Sequence, residues 1–306
     1  MRAVVLGAAA GGGFPQWNSN AEACRRSRAG DSAAPARSQA SLAVSADCEN
    51  WFLLNASPDL RQQIAASAFL QPRHGLRSSP IAGVVLTGGD VDAIAGLLTL
   101  RERQAFTVYA TARIHAVLDA NPIFDVLARD TVARQAVPVG QVATLDLPDG
   151  AASGLTLELF RVPGKVPLYL ERQGEAPTIA ESDDTVGAAI SDGEHRLFFI
   201  PGCAAMTDRL ADRLHGADAV FFDGTLWRDD EMIRAGIGTK TGLRMGHMSL
   251  SGPAGTIAAF AGLDVRRRIL LHINNSNPIL LDETPERAAV EAAGWVVGTD
   301  GMEICL

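Results

Sequence analysis

The sequence predicts an α/β fold in which two β-sheets pack face to face and helices cover their outer sides. Three observations lead to this prediction. The 306 residues are 47% hydrophobic, which is enough to bury a large core. Thirty glycines and fifteen prolines indicate many tight turns. Short strand patterns, two pairs of them spaced as hairpins, alternate with single helices, as is typical of layered sandwiches.

In the first half of the chain, apolar runs bounded by turn residues predict strands at 3–6, 41–45, 51–55, 81–86 and 106–110. Helices are predicted at 58–66, 93–100 and 111–120, and Ser57 is the candidate N-cap of the first. The run 81–86 is apolar throughout, which predicts a central strand buried on both faces. Residues 20–39 are polar and predict a mobile loop, or a short helix followed by a loop.

The second half repeats the alternation. Strands are predicted at 155–162, 184–191, 196–200, 219–222, 269–272, 296–297 and 302–305, and helices at 207–215, 251–261 and 284–293. The chain contains no internal repeat and no convincing linker. We therefore expect one domain that spans residues 1–306.

Charge, hydropathy and cysteine spacing exclude several classes of protein. The formal net charge is −8, whereas a general nucleic-acid binder needs clustered lysines and arginines. No apolar run approaches the roughly 20 residues that span a bilayer, and residues 1–13 fit a strand and a turn better than a signal peptide. The four cysteines lie far apart, which indicates reduced thiols. We expect a cytoplasmic protein with no nucleic-acid partner and no membrane span.

Polar side chains at three positions near strand ends suit a binding site. Asp90 and Asp92 follow the strand at 81–86, and their carboxylates favour hard ions such as Fe(II), Mn or Mg. His272 ends the strand at 269–272, and His247 precedes a helix; an imidazole can ligate a metal or transfer a proton. Each residue also has a purely structural interpretation. Asp92 could cap a helix, Asp90 could belong to a turn, His272 could bond a loop carbonyl, and His247 could belong to the start of a helix.

Three other features are weaker. The Asp223-Gly224-Thr225 sequence follows another predicted strand, but the same tripeptide is common in ordinary turns. The glycine run at 7–13 does not have the spacing of a dinucleotide-binding loop, and Pro15 interrupts any helix there. Cys203 could face a site, but a buried cysteine is most often inert packing.

Longer motifs along the whole chain point to one family. They are GGGFPQWN at 11–18, NASPDLR at 55–61, FDGTLW at 222–227, MGHM at 245–248 and HINN at 272–275. These motifs resemble the PqqB family of pyrroloquinoline quinone (PQQ) biosynthesis, a divergent branch of the metallo-β-lactamase superfamily. The resemblance implies a metallo-β-lactamase-like αββα sandwich with its active site at one edge, between the sheets.

The resemblance also implies a changed metal site. The superfamily motif His-x-His-x-Asp-His follows a strand that ends in Thr, and its four named positions are here Gly88, Asp90, Asp92 and Ala93. This departure argues against a dinuclear zinc hydrolase.

Further along, Gly164 and Lys165 stand where the superfamily has another His. His272 matches the last metal-binding His, and His247 matches a His that near relatives place close to the metal. The implied ligands of a single metal are Asp90, Asp92, His247 and His272. This set resembles the facial arrangement of non-haem iron enzymes. Fe(II) is the implied ion, and zinc is left open as the ion found after purification.

A second departure concerns a structural zinc. Relatives often carry a Cys-x-Cys-x-x-Cys zinc knot after Trp-Asn, and those positions are here Ser19, Ala21 and Cys24. One thiolate cannot hold a closed zinc site. We expect this chain to have no structural zinc.

The implied function is iron-dependent hydroxylation of the tyrosine in the Glu-Tyr portion of the precursor peptide PqqA, with His247 and Asp92 as catalytic residues. The alternative is a non-enzymatic carrier that moves PQQ or a precursor toward the periplasm. Hydrolysis at a remnant lactamase site is disfavoured because three of the usual His positions are vacant. The implied partners are a PqqA-derived peptide or Glu-Tyr and PQQ itself, and a homodimer is left open.

Overall fold

Two seven-stranded β-sheets form the frame of the protein in the computed structural model, which describes residues 1–172, 174 and 178–306. One hydrophobic core contains side chains from both sheets, and a second core lies between one sheet and its outer helices. The predicted α/β sandwich is confirmed.

The first sheet comes from the first half of the chain and its last strand. Its strands are β1 (Arg2–Gly7), β2 (Ser41–Ser45), β3 (Trp51–Leu54), β4 (Ile81–Val85), β5 (Phe106–Ala110), β6 (Val132–Ala136) and β14 (Glu303–Cys305). They are ordered β14-β1-β2-β3-β4-β5-β6, and β3 to β6 run parallel. The carboxyl ends of these parallel strands therefore meet at one edge of the sheet.

The second sheet comes from the remaining strands. They are β7 (Val142–Asp146), β8 (Ala152–Gly164), β9 (Ala180–Ser191), β10 (Arg196–Ile200), β11 (Ala217–Asp223), β12 (Val265–Leu271) and β13 (Trp295–Val297). Their order is β13-β12-β11-β10-β9-β8-β7, and β10 to β13 are parallel. The ends of β11 and β12 thus lie side by side.

The helices are short and connect the strands. They are α1 (Glu22–Arg28), α2 (Leu60–Ala66), α3 (Val91–Ile94), α4 (Ala112–Asp119), α5 (Asp208–Leu214), α6 (Glu231–Arg234), α7 (Gly242–Met245), α8 (Thr256–Ala259) and α9 (Pro285–Ala292). Single 3-10 turns lie at Ala68–Leu70, Ala95–Leu100, Pro122–Val126, Leu168–Leu170 and Pro278–Leu280. Threonine hydroxyls cap α4, α5 and α9, at positions where the sequence predicts helix starts.

Side chains of β11 alternate between the two cores. Phe221 packs between the sheets, whereas Phe222 belongs to the core beneath the outer helices. In that outer core the ring of Phe260 lies 5.0 Å from Phe222 and 4.8 Å from Trp295, measured between ring centroids. Aromatic packing therefore fixes the strand that carries Asp223 at its end.

The structure corrects several predicted boundaries. Asp59, not Ser57, precedes the helix α2, because the Ser57 hydroxyl donates to Gln63 Oε1 instead of capping. The helix predicted at 251–261 is only Thr256–Ala259, since Gly252 adopts a positive φ of 91° and Pro253 follows it. The sequence prediction missed β6 and β7, which have one buried residue each and no clear alternation.

Residues 20–39 contain α1 followed by a loop, so the second alternative for this segment is the one observed. Cys24 lies on α1 and is fully buried. The mobility of the segment stays a prediction.

None of the helices in the described part of the chain combines the length and the apolar character that crossing a membrane requires.

We expect Phe260→Ala to lower the free energy of unfolding by about 3–5 kcal/mol, because it empties a ring-sized volume in the outer core. Urea unfolding followed by circular dichroism measures the change. The control is Val142→Ala, at a residue that is 68% exposed, for which we expect a change within about 0.5 kcal/mol. A Phe260→Ala protein as stable as the control would contradict this account of the outer core.

Candidate metal centre

A cavity of about 180 Å³ opens at the edge where strand ends of both sheets meet. Asp90 and Asp92 reach it from the turn after β4 and the start of α3. His272 reaches it directly after β12, and His247 from the segment between α7 and α8. The structure therefore brings all four predicted site residues to one cavity.

A direct contact between segments of the two sheets at this edge joins Asp92 and His272. Asp92 Oδ2 lies 2.7 Å from His272 Nε2. His272 has a φ of +55° and Asn55, which also lines the cavity, has +61°, both in the left-handed region that residues other than glycine rarely adopt. Strained backbone conformations of this kind are frequent at functional sites, so the two positive φ angles support a functional site at this cavity.

Hydrogen bonds of Asp223 and Thr225 connect the two imidazole rings that line the cavity. Asp223 Oδ2 accepts hydrogen bonds from His247 Nδ1 at 2.6 Å and from the backbone amide of Cys203 at 2.9 Å. Its Oδ1 accepts from the Thr225 hydroxyl at 2.6 Å, and that hydroxyl lies 2.8 Å from His272 Nδ1. The two rings stack, with 5.1 Å between centroids. This network fixes the orientation of both rings.

Neighbouring charges favour the ionised forms of Asp223, Asp92 and His272, although burial opposes them. Burial raises the pKa of Asp223, but His247 and His272 outweigh burial and hold that pKa below its usual value. Burial likewise opposes ionisation of Asp92, and the hydrogen bond with His272 lowers its pKa. Burial lowers the pKa of His272, but the neighbouring carboxylates, Asp92 first, raise it. Carboxylates and imidazoles therefore stabilise one another's charged forms.

The donor set fits a metal ion. One ligand atom each from Asp223, His247 and His272 lies within 4.8 Å of the others, and Asp92 contacts His272 directly. Two imidazoles with carboxylates suit iron, zinc or manganese. Asp223 is fully buried, and a buried carboxylate of this kind is stabilised by a cation beside it.

The sequence prediction missed Asp223 as a site residue. Its position at the end of a buried strand was a usable signal, but Asp-Gly-Thr is also an ordinary turn sequence. The interpretation of Asp92 as a helix cap is wrong, because Asp92 lies inside the first turn of α3 and Asp90 occupies the cap position. Asp90 Oδ1 accepts a 3.4 Å hydrogen bond from the Leu168 amide. Its ligation of a metal stays a prediction.

The glycine run beside the cavity has a steric role. A Cβ atom on Gly11 would lie 3.6 Å from Asp92 Oδ2, and Gly12 and Gly13 have positive φ angles of 91° and 72°. The Gly12 amide donates to Gln39 Oε1. The run therefore turns tightly against Asp92.

Gly88, Ala93, Gly164 and Lys165 stand where the superfamily has histidines, and all four line the same cavity. Gly88 and Ala93 offer no donor side chain. Lys165 forms an ion pair with Glu171 at 2.9 Å, and Arg244 pairs with the other carboxylate oxygen of Glu171 at 2.8 Å. These two cations outweigh burial and lower the pKa of Glu171 to about 2, with the hydrogen bond from Arg244 as the largest cause.

Cys24, at the last position of the family's zinc knot, packs against the loop that follows His272. Its Sγ lies 3.9 Å from Asn275 Oδ1, and Asn275 donates to Gln16 Oε1 at 2.7 Å. Ser19 Oγ accepts from the Ala21 amide. Side-chain amides thus link α1 to the His272 loop. The absence of a structural zinc stays a prediction.

Comparison with known proteins identifies the family. A family model described as the β-lactamase superfamily domain matches residues 50–273. The chain is 62% identical over 301 residues to coenzyme PQQ synthesis protein B of Gluconacetobacter diazotrophicus, and the match covers 98% of each chain. The chain belongs to the coenzyme PQQ synthesis protein B family. The resemblance predicted from its motifs is therefore confirmed.

Other members of this family and its superfamily agree. The family member from Xanthomonas campestris pv. campestris is 53% identical over 306 residues, with 100% of each chain covered. The solved structure of Zn²⁺-bound PqqB from Methylobacterium extorquens is 52% identical, covers 100% of each chain and has a TM-score of 0.95. A diphosphatase of the PhnP family, 18% identical with a TM-score of 0.68 over 100% of this chain and 97% of its own, shares the fold. The metallo-β-lactamase-like fold is confirmed.

We expect Asp223→Asn to weaken Zn²⁺ binding by about 10–100-fold, because it alters the carboxylate that orients His247. We expect His272→Ala, which removes a ligand, to weaken it further. Competition with a chromophoric chelator measures the affinity. Asp130→Asn, at an exposed carboxylate, is the matched control and should bind like the unaltered protein. Unchanged affinity in Asp223→Asn would contradict the role of Asp223 in orienting His247, and Asp90→Asn measured in parallel tests the predicted ligation by Asp90.

We expect Glu171→Gln to lower the free energy of unfolding at pH 7 by about 1–2 kcal/mol, a figure that allows for solvent screening of the partly exposed Arg244. Because the pKa of Glu171 falls from 4.5 to about 2 on folding, its contribution is present above about pH 4.5 and is lost as the pH falls toward 2. Urea unfolding across this pH range should show the two proteins converging in acid. A difference that is independent of pH would contradict the assignment.

Proposed function

We propose that this protein is a mononuclear non-haem iron oxygenase that hydroxylates the tyrosine of a PqqA-derived Glu-Tyr precursor in PQQ biosynthesis. Membership of the coenzyme PQQ synthesis protein B family supports the pathway. The observation that supports the reaction class is the convergence of two imidazoles and two carboxylates on one cavity. A facial set of two His and a carboxylate with open positions is typical of Fe(II) oxygenases.

The ligands in this proposal are Asp92, His247 and His272, and Asp223 orients His247 by accepting its Nδ1–H. Asp90, in the same cavity, is a further candidate. Fe(II) held here would supply the activation of molecular oxygen that hydroxylation of a phenol ring needs.

The protein's own groups orient the site and move protons. Because Asp223 accepts the Nδ1–H of His247, the Nε2 atom of that ring is left to bind a metal or to accept a proton. Thr225 plays the matching part for His272, since its hydroxyl lies beside Nδ1 and leaves Nε2 facing Asp92. Two differently oriented imidazoles beside an acidic cluster can thus serve as ligand and as proton acceptor.

Anaerobic reconstitution tests the reaction. Protein loaded with Fe(II) is mixed with Glu-Tyr and ascorbate, an external two-electron donor that allows the second oxygen atom of O₂ to leave as water. Oxygen is then admitted, and the peptide is analysed by mass spectrometry. We expect one added oxygen atom on the tyrosine, and we expect His272→Ala to abolish it while Asp130→Asn retains it. An unmodified peptide from iron-loaded protein would overturn the proposed reaction.

A carrier of PQQ or its precursor is the second candidate. It is favoured by Gly88 and Ala93, which line the cavity without offering metal ligands. Fluorescence titration of metal-free protein with PQQ separates the two functions. Tight binding that survives His272→Ala would favour the carrier, and binding that depends on the metal and on His272 would favour the oxygenase.

A further inference from the structure

Lys165 is unusual in this sequence and in this cavity. The chain has 27 basic residues, of which only Lys165 and Lys240 are lysines. Among the described residues that line the cavity, Lys165 alone carries a permanent positive charge. Its side chain is 11% exposed, so the ammonium group is largely shielded from bulk water.

The fold holds this side chain in place. Lys165 directly follows β8, and its stem lies against Gly246, where a Cβ atom would approach Lys165 Cγ to 3.3 Å. The ammonium group pairs with Glu171 and donates to the Val166 carbonyl at 3.2 Å. An ammonium group has three N–H donors, so when partners among the described residues are counted, one donor is left for a ligand.

The charges around Lys165 favour an anion. Arg244 engages both oxygens of Glu171, at 3.3 and 2.8 Å, and therefore already balances its charge. Lys165, Glu171 and Arg244 together carry a net charge of +1. The Asp90 carboxylate in the same cavity offsets this charge only through space, because among the described residues no ion pair or hydrogen bond joins it to Lys165. A largely buried cation without full compensation is costly, and a carboxylate of a bound molecule would relieve that cost.

We propose that Lys165 is a substrate-binding residue that pairs with a carboxylate of an amino-acid or peptide substrate and so directs its aromatic ring toward His247 and His272. Lys165 packs against Gly246, and His247 is the next residue in the chain. This proximity supports the proposed orientation of the aromatic ring. The identity of the substrate rests on the proposed function, whereas the carboxylate pairing rests on the cavity itself.

Equilibrium binding to zinc-loaded protein, which measures affinity without turnover, tests the pairing. The probes are Glu-Tyr and two modified peptides. The C-terminal amide of Glu-Tyr lacks the terminal carboxylate, and Gln-Tyr lacks the side-chain carboxylate. We expect unaltered protein to bind at least one of the two modified peptides about tenfold more weakly than Glu-Tyr. In Lys165→Gln the three peptides should bind equally, because the cation that distinguishes them is gone.

Two further variants make the result specific. Lys165→Arg keeps the charge and should retain part of the discrimination. Lys240→Gln removes the other lysine, which lies outside the cavity lining, and should discriminate like the unaltered protein. Zinc affinity and thermal unfolding of Lys165→Gln, measured alongside, report whether the cavity stays intact.

The outcomes separate this inference from the proposed reaction. Discrimination that disappears only in Lys165→Gln supports the pairing even if iron-loaded protein fails to hydroxylate the peptide. Undiminished discrimination in Lys165→Gln, equal binding of all three peptides by unaltered protein, or no measurable Glu-Tyr binding at millimolar concentration would overturn the inference, whatever the fate of the proposed reaction.

Discussion

The fully buried carboxylate of Asp223 is the group on which the arrangement of the site depends. It accepts hydrogen bonds from His247, Thr225 and the Cys203 amide, and through Thr225 it also reaches His272. A buried carboxylate is tolerable only when it is paired and hydrogen-bonded in this way. Its position in turn depends on aromatic packing under β11, so the outer core and the metal centre are energetically connected.

The sandwich explains why residues far apart in sequence meet. Parallel strands of each sheet end at the same edge, and the two sheets face one another there. Asp92 from the first sheet and His272 from the second, 180 residues apart, can therefore form a direct contact. Gly88, Asp90 and Ala93 stand where the superfamily's His-x-His-x-Asp-His motif has histidines. The remaining ligands therefore lie on the second sheet and at Asp92. A cavity with one cationic wall at Lys165 occupies the remaining space.

The family resemblance predicted that the two acids converge with the two histidines, whereas local patterns in the sequence predicted most of the central strands and the helices capped by Thr111, Thr207 and Thr284. These patterns did not identify Asp223, because a strand-end Asp-Gly-Thr resembles a turn until its tertiary partners are known. They missed β6 and β7, because edge strands bury too few side chains to show alternation. The pairing of Lys165 with Glu171 and Arg244 is a tertiary contact that spacing cannot reveal.

Anomalous diffraction from crystals grown with Fe(II) under anaerobic conditions would show directly whether the predicted ligands hold the iron. We predict one strong iron peak at the sandwich edge, about 2.0–2.2 Å from nitrogen or oxygen atoms of Asp92, His247 and His272, by analogy with metal–ligand distances at such donors. A peak bound elsewhere, or a His247 side chain directed away from a peak at His272, would contradict this ligand set.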